Sequence, residues 1–258
     1  MSTLTSPTSS RQPVFRRRGR STSQWRRAAA WMLGFQAVLG AWFWLIAVVG
    51  VTVAILVIGR IASVEVSIMQ FAAQGATWFP FALAVILATT QLGVHVANGM
   101  TRRSFTRAAL VTCTISAIGY ALVMVLAIRA EAALYARTGW PHVVGSDDSA
   151  IWENSFGPSL LGYGLVFLGA QVSGLLVGIG YYRFGGWWGT LLLPLTVAPA
   201  LLLQVAGPLL SGDTWEWGAN RFSAPLTVVV PAALAVIAAG ALGFHALART
   251  VPIHRVAA

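Results

Sequence analysis

The chain of 258 residues has no lysine, a single cysteine and seven acidic residues. Each shortage excludes something. A Walker A loop needs a lysine to reach the nucleotide phosphates, so the chain does not hydrolyse nucleotides by that route. One cysteine, Cys113, permits no intrachain disulfide and no cysteine-rich metal site. Set in an oily run, it reads as a small packing residue. HExxH helices, GxSxG elbows and Cys/His zinc spacings are missing as well. The chain is therefore not expected to be an enzyme. No metal, cofactor or nucleic-acid partner is expected. Charge of either sign is scarce: 9% of residues carry it, against roughly a quarter in soluble domains. A globular surface cannot be covered with so little, which points to a membrane protein.

What is present is apolar: 57% of the residues are hydrophobic. A spanning helix needs about 20 mostly apolar residues. Six runs qualify, with cores at Val38–Gly59, Thr77–Ala97, Ala108–Ile128, Leu160–Gly180, Thr190–Leu210 and Leu226–Ala246. None contains Asp, Glu or Arg, as expected when a mid-bilayer charge costs about 2.5–3.5 kcal/mol. The expected fold is all-α and polytopic, with six transmembrane helices. The first run is too long for one span: from Ala28 to Gly59 there are 59 − 28 + 1 = 32 residues without charge. A short interfacial helix, "QWRRAAAWMLGFQ", bending into the first span near Val38 accounts for the excess, with Trp25 and Trp31 in the headgroup layer. An uncleaved anchor fits this segment better than a signal peptide, whose apolar core is shorter. Residues 1–24 read as a disordered basic tail, 25–249 as the transmembrane domain and 250–258 as a short C-terminal tail.

The arginines set the orientation. With both ends in the cytoplasm, only Arg60, Arg129, Arg137 and Arg221 fall outside; 17 − 4 = 13 fall inside, as the positive-inside rule demands. All seven acidic residues then fall outside. The longest external loop, Arg129 to Gly157, is expected to hold a short interfacial helix starting near Asp148 or Ser149.

Several residues invite functional readings. Gln91, His95 and Asn98, at spacings of four and three, share one helix face leading to Arg102. Such a stripe forms interhelical hydrogen bonds or lines the mouth of a pathway. Ala170, Gly174 and Gly178 repeat every four residues and allow close helix approach, within the chain or at a homodimer seam. Ser173 and His245 lie in the spans an intramembrane serine protease would use. "GAQVSG" lacks that family's GxSG, so a packing serine and an interfacial histidine are expected. His142, Asp147, Asp148 and Glu153 match no standard ligand spacing and read as a solvated acidic loop. Pro80, Pro194, Pro199, Pro225 and Pro231 kink spans where neighbours re-satisfy the freed carbonyls.

The densest charge is in "VANGMTRRSFTRAA", between the second and third runs. Thr101 or Ser104 is placed to cap the following helix. Arginines in its first turn oppose the helix dipole, costing about 0.3–1 kcal/mol each when exposed. They therefore serve topology or a partner. The phrase Asn98, Gly99, Met100, Thr101, Arg102, Arg103, Ser104, Phe105 resembles one found in permease subunits of type-two ABC exporters, as does "GIGYYRFGGWWG" at the end of the fourth run, which is similar to small actinobacterial and firmicute members. The resemblance implies a membrane-spanning permease in the bacterial inner membrane, a homodimer or paired permease, driven by a separate ABC ATPase subunit. It also implies that Asn98, Gly99, Thr101, Arg102, Arg103 and Phe105 belong to a coupling helix docked on that ATPase. A non-transporting membrane regulator or scaffold is the alternative reading.

Overall fold

A computed structural model describes residues 24–62, 66–144, 156–210, 215–217, 220–222 and 224–251. The expected N-terminal tail up to Ser23, the expected helix near Asp148, and the C-terminal tail beyond Val251 lie outside the described residues.

The chain is helical because apolar backbone in lipid must satisfy its own hydrogen bonds. The elements are α1 (Gln24–Ile58), a 3₁₀ turn (Met69–Phe71), α2 (Ala72–Ala97), α3 (Arg102–Thr138), α4 (Phe156–Leu191), α5 (Leu193–Val205), α6 (Gly207–Leu210), strands β1 (Trp215–Trp217) and β2 (Asn220–Phe222), and α7 (Leu226–Thr250). The strands form a small antiparallel ribbon, Trp215 opposite Phe222. Among the described residues, five helices are long and apolar enough to cross a membrane: α1, α2 with its leading 3₁₀ turn, α3, α4 and α7. The protein is a multi-pass membrane protein.

α4 is the central helix. In its most apolar stretch 72% of the residues are buried, against 11% in α1. It packs on α2, α3, α5 and α7. Its contact with α2 depends on the glycines of the small-residue repeat. A Cβ on Gly174 would lie 2.4 Å from the Phe81 carbonyl oxygen, and one on Gly178 would lie 2.7 Å from that of Val85. Ala170, on the same stripe, is fully buried. The repeat is thus an intrachain helix seam, not a surface left for a second copy.

Two expectations are corrected. No break near Val38 separates an interfacial helix from a first span. α1 runs unbroken for 35 residues, about 52 Å. Nothing in it breaks a helix. Its buried stripe Ala28, Met32, Gln36, Gly40 and Trp44, one residue per turn, keeps it against α3. The fifth run is not one helix. α5 has 13 residues, about 20 Å, short of the roughly 30 Å hydrocarbon layer. Proline explains the interruption: Pro194 sits in the first turn of α5, Pro199 inside it, and Pro208 just beyond it in α6, and none can donate a backbone hydrogen bond. Helix-type bonds still bridge the breaks, Leu192 N–H to Trp188 O at 3.0 Å and Ala206 N–H to Leu202 O at 2.9 Å.

The core clusters show which ends lie together. Ala28, Met32, Phe105, Phe244, Ala248 and Val251 share one cluster, so the start of α1, the start of α3 and the end of α7 meet at one end of the bundle. That end carries Arg26, Arg27, Arg102, Arg103, Arg107, Arg183 and Arg249 and is called the arginine end below. At the opposite, far end Ile55 packs against Tyr135, with Ile68 and Trp140 alongside. The run α5–α6 lies along α4, with Thr196 beside Gly180 and Gly207 beside Val166.

Candidate functional site

The α2–α3 turn is short and closed by hydrogen bonds at both helix ends. α2 closes with the Met100 N–H on His95 O and the Gly99 N–H on Val96 O, both at 3.0 Å. This is the paired Schellman bonding that satisfies a helix's last carbonyls. Gly99 supplies the left-handed backbone it requires, φ 73°. Thr101 then caps α3, its hydroxyl accepting from the Ser104 N–H at 3.2 Å. Arg102 to Phe105 are therefore the first turn of α3, and no separate coupling helix forms between α2 and α3.

The arginines have definite destinations. Arg102 Nη1 donates to Arg249 O at 2.8 Å. Arg183 Nη1 donates to Leu247 O at 3.3 Å and also to the Thr250 hydroxyl. Two guanidinium groups from different helices thus occupy the C-terminus of α7, where orphan carbonyls and the negative dipole end favour cations. Arg102 is unfavourable for its own helix and favourable for α7. Arg103 and Arg107 are exposed, as are Asn98, Gly99 and Thr101.

Phe105 is not part of that surface. It is fully buried, with ring centroids 5.4 Å from His95 and 6.4 Å from Phe244, and so it locks α2, α3 and α7 together instead of meeting a partner. His95 is also enclosed: its Nδ1 lies 2.8 Å from the Gln91 carbonyl one turn back, and its ring packs on Phe105. Of the stripe Gln91–His95–Asn98, His95 is buried, Gln91 half-buried and Asn98 exposed, its amide donating to Val94 O at 2.9 Å.

Ser173 and His245 are engaged separately. The Ser173 hydroxyl accepts from the Ala200 N–H at 2.8 Å. His245 Nδ1 lies 3.0 Å from the Thr106 hydroxyl. Ser173 is a buried group of α4 that bonds the backbone of α5, in keeping with the plain reading of the sequence.

The far end holds a constellation that sequence reasoning missed. Glu131, buried near the end of α3, gathers several donors. Ile68 N–H reaches its Oε1 at 2.9 Å and Met69 N–H at 3.1 Å. The Ser67 hydroxyl donates to Oε2, the Tyr135 hydroxyl lies 3.4 Å from Oε1, and His142 Nε2 lies 3.3 Å from Oε2. A carboxylate over the free N–H groups at the start of a helix is stabilising. Val143 O, in the segment after α3, accepts from the Ser67 N–H at 2.8 Å. Serine bonds the carboxylate here and not the imidazole, so the group lacks the nucleophile–base contact that hydroxyl activation requires. Its chemistry is that of a clasp joining the α1–α2 loop, α3 and the segment after α3. Asp147, Asp148 and Glu153, which the acidic-loop reading grouped with His142, lie outside the described residues. Among the described residues no group of three or more His, Cys, Asp or Glu is assembled to hold a metal.

The interior adds buried polar atoms. Both amide ends of Gln36 and Gln171, and the Tyr120 hydroxyl, have no hydrogen-bond partner among the described residues. No protein-family model matches the chain, nor does any curated protein or any solved structure.

Proposed function

We propose that the chain is the membrane-spanning subunit of an ABC-type exporter in a bacterial inner membrane, driven by a separate ATPase. The observation that carries this reading is the bonding of the α2–α3 turn. Arg102 ties it to the last turn of α7, Phe105 wedges it into the core, and Arg103 and Arg107 stay exposed. A load applied there is passed to α2, α3 and α7 together, which suits a point where an ATPase pushes. The sequence likeness of Asn98–Phe105 to exporter permeases favours the same surface, now drawn as Asn98, Gly99, Thr101, Arg103 and Arg107.

In this reading the bundle crosses six times, with α5 and α6 together as a broken fifth crossing. The course of that run along α4 supports it: Leu203 lies against Gly169, and Leu210 shares a cluster with Leu165 and Val229. The arginine end faces the cytoplasm, because that puts most of the positive charge inside. A transport path would lie between two paired copies, with alternating access as the mechanism.

Co-purification tests the proposal. A tagged chain expressed in its native host should bring down a Walker-motif ATPase, and Arg103→Glu with Arg107→Glu should release it. Arg102→Gln should weaken the association less, because its bond is internal. A wild-type chain that captures no ATPase overturns the reading. That outcome would favour a non-transporting regulator or scaffold, a reading that draws on the tightly packed interior around α4.

A further inference from the structure

We propose that α4, α5 and α7 form a binding site for one anionic phospholipid at the arginine end, with Arg183 holding the headgroup. The three helices enclose an apolar groove of about 510 Å³. α4 contributes Leu176 and Phe184, α5 Leu195 and Leu202, and α7 the stretch from Val236 to Leu247. The groove stays open because the α7 wall is made of small residues: Ala239, Gly240 and Gly243 face it.

Its length and its mouth identify the occupant. Val236 to Leu247 span 247 − 236 = 11 residue steps, about 16 Å along a helix. Half of a roughly 30 Å hydrocarbon layer is of the same size, the depth of one leaflet. The groove therefore matches a single acyl chain reaching from the interface towards the bilayer centre. Its interfacial mouth is flanked by the only basic residue near its rim on α4. The Arg183 guanidinium lies 5.2 Å from the centroid of the Phe184 ring and bonds Leu247 O; both residues line the groove. Both of its bonds among the described residues use Nη1, so they do not spend the Nε–Nη2 edge, one of the edges by which a guanidinium takes a phosphate bidentately. Basic pockets between helices at a membrane face bind anionic headgroups in this way. At Gly185 the α4 backbone leaves helical geometry (φ 75°, ψ −177°); Trp187 and Trp188, just past that kink, are strongly exposed, as expected of indoles lying among headgroups beside such a site.

A stripped, detergent-solubilised full chain titrated with phosphatidylglycerol and with phosphatidylcholine, and read by native mass spectrometry, tests the proposal. One phosphatidylglycerol should be retained about fivefold more strongly, the ratio expected when one arginine meets one anionic headgroup. Arg183→Gln should reduce phosphatidylglycerol to the phosphatidylcholine level. Ala239→Trp, at an exposed position, should fill the groove and lower retention of both lipids. Arg103→Gln with Arg107→Gln should change neither. Equal retention of the two lipids by the wild type, or full phosphatidylglycerol retention in Arg183→Gln, overturns the headgroup assignment. Retention undiminished in an Ala239→Trp variant that melts like the wild type overturns the groove.

Discussion

The side chains that matter most are polar groups whose partners lie far away in sequence. Arg102 lies in the first turn of one helix and serves the last turn of another, 147 residues on. Arg102→Gln should lower thermal stability by about 1 kcal/mol through loss of the cation at the α7 C-terminus, whereas Arg107→Gln, at an exposed position, should leave the melting temperature unchanged. Differential scanning fluorimetry in detergent compares them. Glu131 has the larger role, because donors from three stretches of chain converge on it. Glu131→Ala strands the Ile68 and Met69 N–H groups in a buried place and should cost about 1–3 kcal/mol. The same change should speed proteolysis of the α1–α2 loop. Gln171 points the other way. Both of its amide atoms are buried without a partner among the described residues, so Gln171→Met should leave the melting temperature unchanged or raise it, since an apolar group of similar shape removes the unsatisfied atoms.

At the scale of elements, helix existence was legible and helix contacts only partly so. Each of the six apolar runs is helical, because length and hydropathy are local properties that lipid imposes on the backbone. The small-residue repeat on α4 predicted close approach, and the approach occurs on α2. Gly178→Val should push α2 and α4 apart and cost about 1–3 kcal/mol. By contrast a Cβ at Gly119 would meet nothing within 4 Å, so Gly119→Ala should be neutral or stabilising through helix propensity. Thermal melts of the two variants separate these outcomes. The uninterrupted α1 was not legible. Its excess length suggested a bend, but only the face of α3 running alongside it decides that it continues unbroken. The break between α5 and α6 was signalled by prolines, whose effect on a span depends on whether neighbours supply the missing bonds. Of the candidate site, a cap at Thr101 or Ser104 could be read from residue type and place, and the structure uses Thr101. The burial of Phe105 could not, since an aromatic after two arginines is equally suited to a surface or a core until α7 is seen to cover it.

For the whole molecule, the arrangement of the ends makes a topological prediction. In a Cys113→Ala background, single cysteines at Asn98 and Arg249 should react with an impermeant maleimide only from the cytoplasmic side. Cysteines at Ile61 and Ala224 should react only from outside. Ala224 is the deciding position: labelling from the same side as Asn98 would rule out the α5–α6 run as a crossing.

The sequence by itself determined that this protein lives in a membrane, which segments are helical, and where charge concentrates along the chain. Those follow from composition, run length and the cost of burying charge, and they need no knowledge of neighbours. Only the tertiary structure decided that Arg102 and Arg183 converge on one helix end, that Phe105 is a core wedge, and that Glu131 fastens the far end. Each of these depends on which helices stand side by side. An arginine, a phenylalanine or a carboxylate in this chain takes its role from groups tens to hundreds of residues away, brought within hydrogen-bond or van der Waals reach only when the bundle closes around α4.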